Sequence, residues 1–488
     1  MAVATVAGLL AAFALRAVPG LDAGGLSLDE ASTFLVSGRP LRDVLTLPIT
    51  FHAQPPLYYL ALHGWLRVAD SEPSLRLLSM LLVIAAAATV LTASWLSPAV
   101  RVITVGVMLL SDYGLYLAGL IRPYALVMWL ALWSTLLFWS IVVHGARSIR
   151  VYTAYVAVTT LMAYALAMGS GLLLSEGLCA CVAIAVAWRR GGVAAAWRRH
   201  GRTVIALALV GVACLPYVIA VSALQAQVGQ SSWRAAAAAA LNPRYFVSGP
   251  LYLLAMPFHL GLVAAAMAAY AAWMGLVQRD AGVGVLCAII AIQIGMTHGL
   301  LEGRSAFAFR YLAPAYPAAC LMAGIGAARL VGTLRRGGEV MAACAACVLA
   351  GAIVSAQTRP ATVDSPLRQI ARDLAAMPGP KVVFFEIGWS AQPFAYETRH
   401  DPSVRVMSNP GPGWGAGGQT VTADYVGAIL AEEFHAPVTL IYEVAPSLPT
   451  SVFAGTFVPA MVRHGCARIY DRAVEAGERM FGYACHGR

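Results

Sequence analysis

The chain has 488 residues, of which 60% are hydrophobic and only 11% are charged, and its mean hydropathy is +0.72. This composition excludes a soluble globular protein of that length. The formal net charge is +10, but Lys381 is the only lysine, and the arginines form short clusters between apolar segments. The charge therefore indicates membrane topology and not a nucleic-acid surface, and no nucleic-acid partner is expected.

Apolar stretches recur from residue 2 to about residue 355. A membrane-spanning helix needs about 20 predominantly apolar residues, and positively charged short loops stay cytoplasmic. Placing the arginine-rich loop at 189–202 inside puts the N-terminus inside and the C-terminal region outside. Eleven spans are then predicted: 2–18, 75–96, 102–119, 123–143, 151–168, 170–188, 203–222, 249–276, 282–300, 310–331 and 338–356.

The first outer loop contains an apolar segment, 55–68, that is rich in Tyr, Trp and His. Its length of about 14 residues is short for a span, and counting it as one would move several arginine loops to the wrong side. We interpret it as a juxtamembrane helix along the outer interface. The segment at 2–18 lacks a basic n-region, which favours a retained anchor over a cleaved signal peptide.

The last ~130 residues are less apolar and predict a second domain, so we divide the chain into a membrane domain, 1–356, and a soluble extracytoplasmic domain, 357–488. Helical spacing over 368–377 is followed by strand-like runs at 381–387 and 437–442. The fold class is therefore an all-α polytopic membrane protein with a small C-terminal α/β domain.

Two further features of the second domain bear on its structure. The stretch 409–418 between the two strands is too rich in Gly and Pro for regular structure and predicts a loop. Cys466 and Cys485 are the only cysteines of this domain. Because an oxidising compartment would permit it, we predict a disulfide between them.

Ionisable residues near a membrane are costly and tend to be functional, so the outer loops hold the candidate site. The first loop carries Asp29, Glu30, His52 and Tyr58. The outer ends of later spans supply Arg122, Tyr124, Glu302, Arg304, Arg310 and Tyr311. Glu176 lies inside a predicted span, where an unpaired carboxylate is costly, so we expect either a protonated or serine-bonded structural role or a part in lining a donor groove.

The chemistry of this set fits transfer of a group from a lipid-linked phosphate. Arginine forks match phosphate oxygens bidentately and stay charged. A carboxylate such as Asp29 or Glu30 can take a proton from an attacking hydroxyl or help to hold a divalent cation, the one cofactor that this pair suggests. The alternative is that the acidic pair solvates the loop and the arginines snorkel to lipid headgroups.

Five short motifs follow one another along residues 1 to 330: Leu28-Asp29-Glu30-Ala31, QPPLYYLALH at 54–63, EPSLRLLS at 72–79, RPYAL at 122–126 and RYLAP at 310–314. This ordered set resembles the polyprenyl-phosphate-sugar-dependent glycosyltransferases of the GT-C fold. It is most similar to the family-39 group of protein mannosyltransferase-like bacterial enzymes, with the lipid A aminoarabinose transferases as more distant relatives.

The resemblance implies a GT-C-like bundle in the cytoplasmic membrane, to which the arginine loops and span lengths assign about eleven transmembrane helices and juxtamembrane helices in the first outer loop. It implies an inverting transferase that takes a sugar from a polyprenyl-phosphate carrier at the outer face. Asp29 and Glu30 match the motif of the catalytic acid or base, and Arg310 matches a position near the carrier phosphate. The residues predicted to bind substrate are Arg310, Tyr311, Arg122, Tyr124, Arg304, Glu302, His52 and Tyr58.

The sequence departs from these relatives at two places. Relatives often carry a second carboxylate where this chain has Leu120, which leaves open a catalytically inactive relative unless Glu302 supplies a replacement. Relatives also often place His directly before the Pro-Pro pair, where Gln54 stands here. A transporter or flippase of a lipid-linked or anionic substrate is the remaining alternative, although the sequence shows no clear internal repeat.

Overall fold

The computed structural model describes residues 2–22, 24–52, 54–228, 251, 253–255, 260–301, 308–333, 365–385, 388–407, 423–433, 437–444, 453–474 and 479–486. The chain forms two compact units. The helical unit comprises Met1–Leu21 and Pro48–Pro360, and the mixed unit comprises Asp22–Leu47 and Ala361–Arg488. The domain division at residue 356 stays a prediction. The segment Asp22–Leu47, which carries the acidic pair, belongs to the same unit as the C-terminal region.

The α-helices of the described residues lie mostly in apolar segments of the sequence. In chain order they are α1 (Ala2–Ala17), α2 (Leu28–Ser37), α3 (Leu41–His52), α4 (Leu57–Trp65), α5 (Glu72–Thr92), α6 (Pro98–Leu110), α7 (Asp112–Gly119), α8 (Tyr124–Val142), α9 (Ile149–Ala165), α10 (Ser170–Val228), α11 (Leu260–Gln278), α12 (Ala281–Leu301), α13 (Tyr316–Thr333), α14 (Pro366–Ala375), α15 (Gly388–Glu397), α16 (Ala423–Glu433) and α17 (Val458–Arg463).

Several of these helices are long and apolar enough to cross a membrane. Over the described residues there are five, or up to six when the bent pair of α6 and α7 counts as one span. Gly192, with φ 75°, interrupts α10 between the predicted spans 170–188 and 203–222. The predicted span 338–356 lies outside the described residues, and the count of eleven spans stays a prediction.

The bend between α6 and α7 measures 59° and falls at Ser111. Arg16, which is 2% exposed, donates to the Leu110 carbonyl and pairs with Asp112 at 2.7 Å. The Ser111 hydroxyl accepts from the Gly114 N–H at 3.0 Å, and Tyr316 also contacts it. Side chains therefore bind the main-chain groups that the break leaves without helical partners, and these contacts stabilise the bend.

Glu176 lies at the centre of a polar cluster between α8, α9 and α10. Its carboxylate is fully buried and accepts hydrogen bonds from Ser134 Oγ at 2.9 and 3.1 Å and from the Tyr155 hydroxyl at 2.7 Å. Ser134 Oγ also lies 2.8 Å from Thr159 Oγ1. The predicted bond to a serine is confirmed, and hydrogen bonds from two neighbouring helices offset the cost of burying the carboxyl. A part in a donor groove stays a prediction.

The mixed unit contains a five-stranded sheet in the order β2-β1-β3-β5-β4. Its strands are β1 (Lys381–Phe385), β2 (Val404–Met407), β3 (Val438–Val444), β4 (Ala467–Ala473) and β5 (Arg479–Cys485). β1 is parallel to β2 and β3, whereas β5 is antiparallel to β3 and β4. The predicted α/β character is confirmed, with α14, β1 and β3 at the expected places. The predicted loop at 409–418 lies outside the described residues.

Both faces of the sheet centre are buried. Val382 and Phe384 pack in one core with residues of α16 and with Phe457. Val383 and Phe385 pack in a second core with residues of α14 and α15. This double burial explains why β1 is a continuous apolar run and does not alternate. The structure also pairs Cys466 with Cys485, which confirms the predicted disulfide.

Candidate active site

Helix α2 carries the acidic pair, and its first turn is fixed by a capping interaction. Glu30 Oε2 accepts hydrogen bonds from the Ser27 N–H at 3.0 Å and from the Ser27 hydroxyl at 2.8 Å. A Ser at the start of a helix followed three residues later by Glu is the capping-box pattern. Glu30 is 3% exposed. Its carboxylate therefore helps to begin the helix.

Asp29 differs from its neighbour in its surroundings. Its side chain is half-buried, and its main-chain carbonyl accepts from the Thr33 hydroxyl at 2.7 Å. It lies in the first turn of α2, where the helix dipole favours a negative charge. Of the two carboxylates, the one at Asp29 is thus the more accessible from solvent.

The chain that leads into α2 is anchored to the C-terminal part of the mixed unit. The Ser365 N–H donates to the Gly24 carbonyl at 2.7 Å. Arg368 pairs with Asp22 at 2.9 Å and with Glu397 at 3.2 Å. The Arg368 guanidinium lowers the pKa of the Asp22 carboxyl. The acidic segment therefore begins from a fixed point in the same unit.

In the helical unit, the adjacent residues Arg310 and Tyr311 of one motif meet Tyr124 of another motif. The Arg310 guanidinium lies 5.3 Å from the ring centroid of Tyr311 and 5.9 Å from that of Tyr124. The two rings meet edge to face at 5.9 Å. Tyr124 is fully buried, whereas Arg310 and Tyr311 are half-buried. Aromatic rings around a guanidinium hold its plane while its edge keeps its hydrogen-bond donors.

The backbone beneath this cluster is held by side chains from neighbouring helices. Gln293 on α12 donates to the Tyr311 carbonyl at 3.0 Å and to the Met168 carbonyl at 3.2 Å. The Tyr113 hydroxyl donates to the Arg310 carbonyl at 3.4 Å. Because Gln293 is fully buried, its hydrogen bonds fix the turn that carries Arg310.

The loop between α7 and α8, which leads to Arg122 and Tyr124, is held by residues that sequence reasoning missed. Arg76 on α5 donates to the Gly119 carbonyl, and Ser79 donates to the Leu120 carbonyl. Arg76 also pairs with Glu72 at 2.9 Å, and both side chains are under 6% exposed. These residues belong to the motif EPSLRLLS, which carried part of the resemblance. The spacing of four residues between Glu72 and Arg76 predicts an ion pair on one helix, but it does not predict that Arg76 binds the loop between α7 and α8.

The remaining predicted site residues divide into described and undescribed ones. Arg122 is 7% exposed, and Tyr58 is fully buried with its hydroxyl 3.5 Å from Ser79 Oγ. Glu302 and Arg304 lie outside the described residues, and so does the side chain of His52, the last residue of α3. The roles of all these residues in substrate binding stay predictions.

A cation site was one expectation for Asp29 and Glu30. Across the part of the chain that the structure describes, no three His, Cys, Asp or Glu side chains converge as they would around a metal ion. Glu30 Oε2 already accepts two hydrogen bonds from Ser27. Because one or two carboxylates together with substrate phosphates commonly hold Mg²⁺, the cation expected at this pair stays a prediction.

Long apolar helices and a small C-terminal sheet define a multi-pass membrane protein. The GT-C fold predicted from the resemblance is confirmed by solved structures. ArnT from Cupriavidus metallidurans in the apo state is 16% identical, with a TM-score of 0.63 over 98% of this chain and 97% of that chain. ArnT bound to undecaprenyl phosphate matches with the same identity, TM-score and coverage.

A more remote structural likeness is found with the Archaeoglobus fulgidus oligosaccharyltransferase in the apo form. That protein is 12% identical, with a TM-score of 0.49 over 99% of this chain and 74% of that chain. No protein-family profile and no curated protein sequence matches the chain.

Proposed function

We propose that the protein is an integral-membrane, inverting glycosyltransferase that moves a sugar from a polyprenyl-phosphate carrier to an acceptor at the outer face of the cytoplasmic membrane. The observation that carries this proposal is the likeness, over nearly the full length of both chains, to an ArnT structure that binds undecaprenyl phosphate. The C-terminal domain is extracytoplasmic in this proposal, as the arginine distribution predicts.

The donor phosphate is assigned to the cluster around Arg310. Its guanidinium stays charged at any relevant pH and can donate two parallel hydrogen bonds to phosphate oxygens. The rings of Tyr124 and Tyr311 lie against it, and the buried Gln293 fixes its turn. A donor group held in place before the reaction stabilises the charge that develops on the departing phosphate.

The acceptor side of the reaction is assigned to Asp29. Its carboxylate takes the proton from the acceptor hydroxyl or amine, whose oxygen or nitrogen bonds to the anomeric carbon. The bond between that carbon and the phosphate oxygen breaks, so the polyprenyl phosphate leaves with the bonding electron pair. Glu30 is less suited to this role because its carboxylate accepts both hydrogen bonds of the α2 cap.

The experiment measures release of free polyprenyl phosphate from a panel of polyprenyl-phosphate sugars by the purified protein, with membrane extract as acceptor. Wild type is expected to release carrier from at least one donor. Asp29→Asn is expected to lower the rate by roughly 10² to 10⁴-fold, because it removes the general base. The matched variant Glu30→Gln keeps an oxygen that can accept from Ser27, and we expect a loss of less than about tenfold.

The outcomes separate the alternatives. If Glu30→Gln loses turnover and Asp29→Asn keeps it, the base is Glu30. Turnover that survives both changes would remove the acidic pair from the mechanism. If folded wild type releases no carrier from any donor, the proposal fails in favour of an inactive relative, which Leu120 also suggests, or of a transporter.

A further inference from the structure

Helix α2 is packed against the end of α15 by a cluster of three side chains in the mixed unit. Phe34 and Tyr396 meet edge to face, with ring centroids 4.8 Å apart and planes at 85°. The Arg399 guanidinium lies 3.9 Å from the Tyr396 centroid and 5.7 Å from that of Phe34. Arg399 also donates to the Tyr396 carbonyl at 2.7 Å. Tyr396 is only 2% exposed, and Phe34 is half-buried.

The entrance to α2 has a second attachment in the same region. Besides the Ser365 and Arg368 contacts, Gly25 adopts φ +140°, and a Cβ at this position would lie 2.7 Å from Ser365 Oγ. Glycine is required there both for the backbone conformation and for the close approach. Residues 365–399 therefore hold α2 before its first turn and again at Phe34.

We infer that Tyr396 and Arg399 are positioning residues for Asp29. They hold Phe34, which lies little more than one turn after Asp29 on the ten-residue helix α2. A short helix moves as a rigid body, so a tilt at Phe34 displaces the Asp29 carboxylate as well. A displacement of about 1 Å at a reacting group can cost roughly 10²-fold in rate. This inference rests on the proposed role of Asp29.

The C-terminal domain has a role in the reaction if Tyr396 and Arg399 position Asp29. In this inference its helix α15 sets the geometry of the proposed general base. The domain therefore acts on the chemical step and leaves donor binding alone, because the donor phosphate is assigned to residues of the other unit.

The test compares three full-length variants in the carrier-release assay. Tyr396→Ala removes the ring and is expected to lower kcat by roughly 10 to 100-fold without changing KM for the donor. Tyr396→Phe keeps the ring and is expected to stay within about threefold of wild type. Phe457→Leu is the control, because Phe457 is a similarly buried aromatic residue of the same unit that packs with Val382 and Phe384 in a core without Tyr396. It is expected to keep kcat.

A second measurement is independent of turnover. Hydrogen–deuterium exchange in residues 28–37 is expected to rise in Tyr396→Ala and to stay unchanged in Phe457→Leu. Unchanged exchange in Tyr396→Ala, a loss that appears in KM alone, or an equal loss in Phe457→Leu would each overturn the inference. If instead Asp29→Asn keeps wild-type turnover, the proposed base is wrong, and the exchange experiment still decides whether Tyr396 holds α2.

Discussion

The acidic helix and the arginine loops are held by different kinds of contact. The segment leading to α2 is held by Arg368, which pairs with the 66% exposed Asp22 and with the mostly buried Glu397, and α2 itself is held where the half-buried Phe34 meets the Tyr396 ring. The loops before Arg122 and around Arg310 rely on buried side chains that bind main-chain carbonyls. Buried polar contacts are costly to break, whereas exposed ion pairs contribute little. The loops of the proposed phosphate site are therefore held mainly by buried polar contacts, whereas the acidic helix is held by ion pairs of mixed exposure and an aromatic contact.

The largest effect is expected where a buried charge loses its partner. Arg76→Met leaves the Glu72 carboxylate buried without its guanidinium, and it removes the hydrogen bond to the Gly119 carbonyl. Breaking such a pair costs about 3–5 kcal/mol of stability. The measurement is the unfolding free energy by denaturant titration in mixed micelles.

The control for this prediction removes both charges. Glu72→Gln combined with Arg76→Met is expected to be more stable than Arg76→Met alone, because no buried carboxylate then lacks the Arg76 guanidinium. If the single variant is as stable as wild type, the arginine loop is not held in the way described.

A smaller effect is expected on donor binding. Arg310→Ala removes a charge-assisted hydrogen-bond donor worth about 1.5–3 kcal/mol, which corresponds to roughly 10 to 150-fold in Kd for undecaprenyl phosphate. Arg310→Lys keeps the charge without the planar fork and should fall between Ala and wild type. The measurement is binding of undecaprenyl phosphate by the purified protein.

An arginine outside the cluster provides the matched control. Arg329 pairs with Asp280 at 2.5 Å, and Arg329→Ala is expected to leave carrier affinity unchanged. Equal losses in the Arg310 and Arg329 variants would indicate a general effect of net charge and would remove Arg310 from the phosphate site.

The smallest effect is expected at the exposed anchor of the acidic segment. The Arg368 guanidinium lowers the pKa of the Asp22 carboxyl below its ordinary value, so this pair adds stability above about pH 4 that is lost as the pH falls through the lowered pKa. Asp22→Asn should melt slightly lower than wild type at pH 6, and the two melting curves should converge toward pH 3. A difference that persists unchanged at pH 3 would contradict this assignment.

Hydropathy and charge were sufficient for the features that depend on local sequence. Long apolar runs predicted helices such as α5 and α8, and apolar β-branched or aromatic runs predicted β1 and β3. The strand β4 was missed because its sequence, ARIYDRA, is mostly exposed and carries no apolar run. β4 lies at the sheet edge because it pairs with β5. The hydropathy pattern of a single segment does not encode such pairing.

The candidate site shows a similar division. Motif order pointed to Arg310, Tyr124 and Tyr311, and the structure brings these three together. Arg76 and Ser79 were missed because their targets are main-chain carbonyls, which have no sequence signature. The grouping of residues 22–47 with the C-terminal region was also missed, since it depends on contacts between distant parts of the chain.

The discontinuity of the mixed unit has a consequence for biosynthesis. Asp22 and Arg368, which meet in that unit, are 346 residues apart in the chain. At a synthesis rate of about 5–20 residues per second, the ribosome needs roughly 20 to 70 seconds to reach the second partner after the first. During that interval the acidic segment lacks its packing surface. A nascent chain should therefore expose this segment to proteases until the C-terminal region has emerged and folded around it.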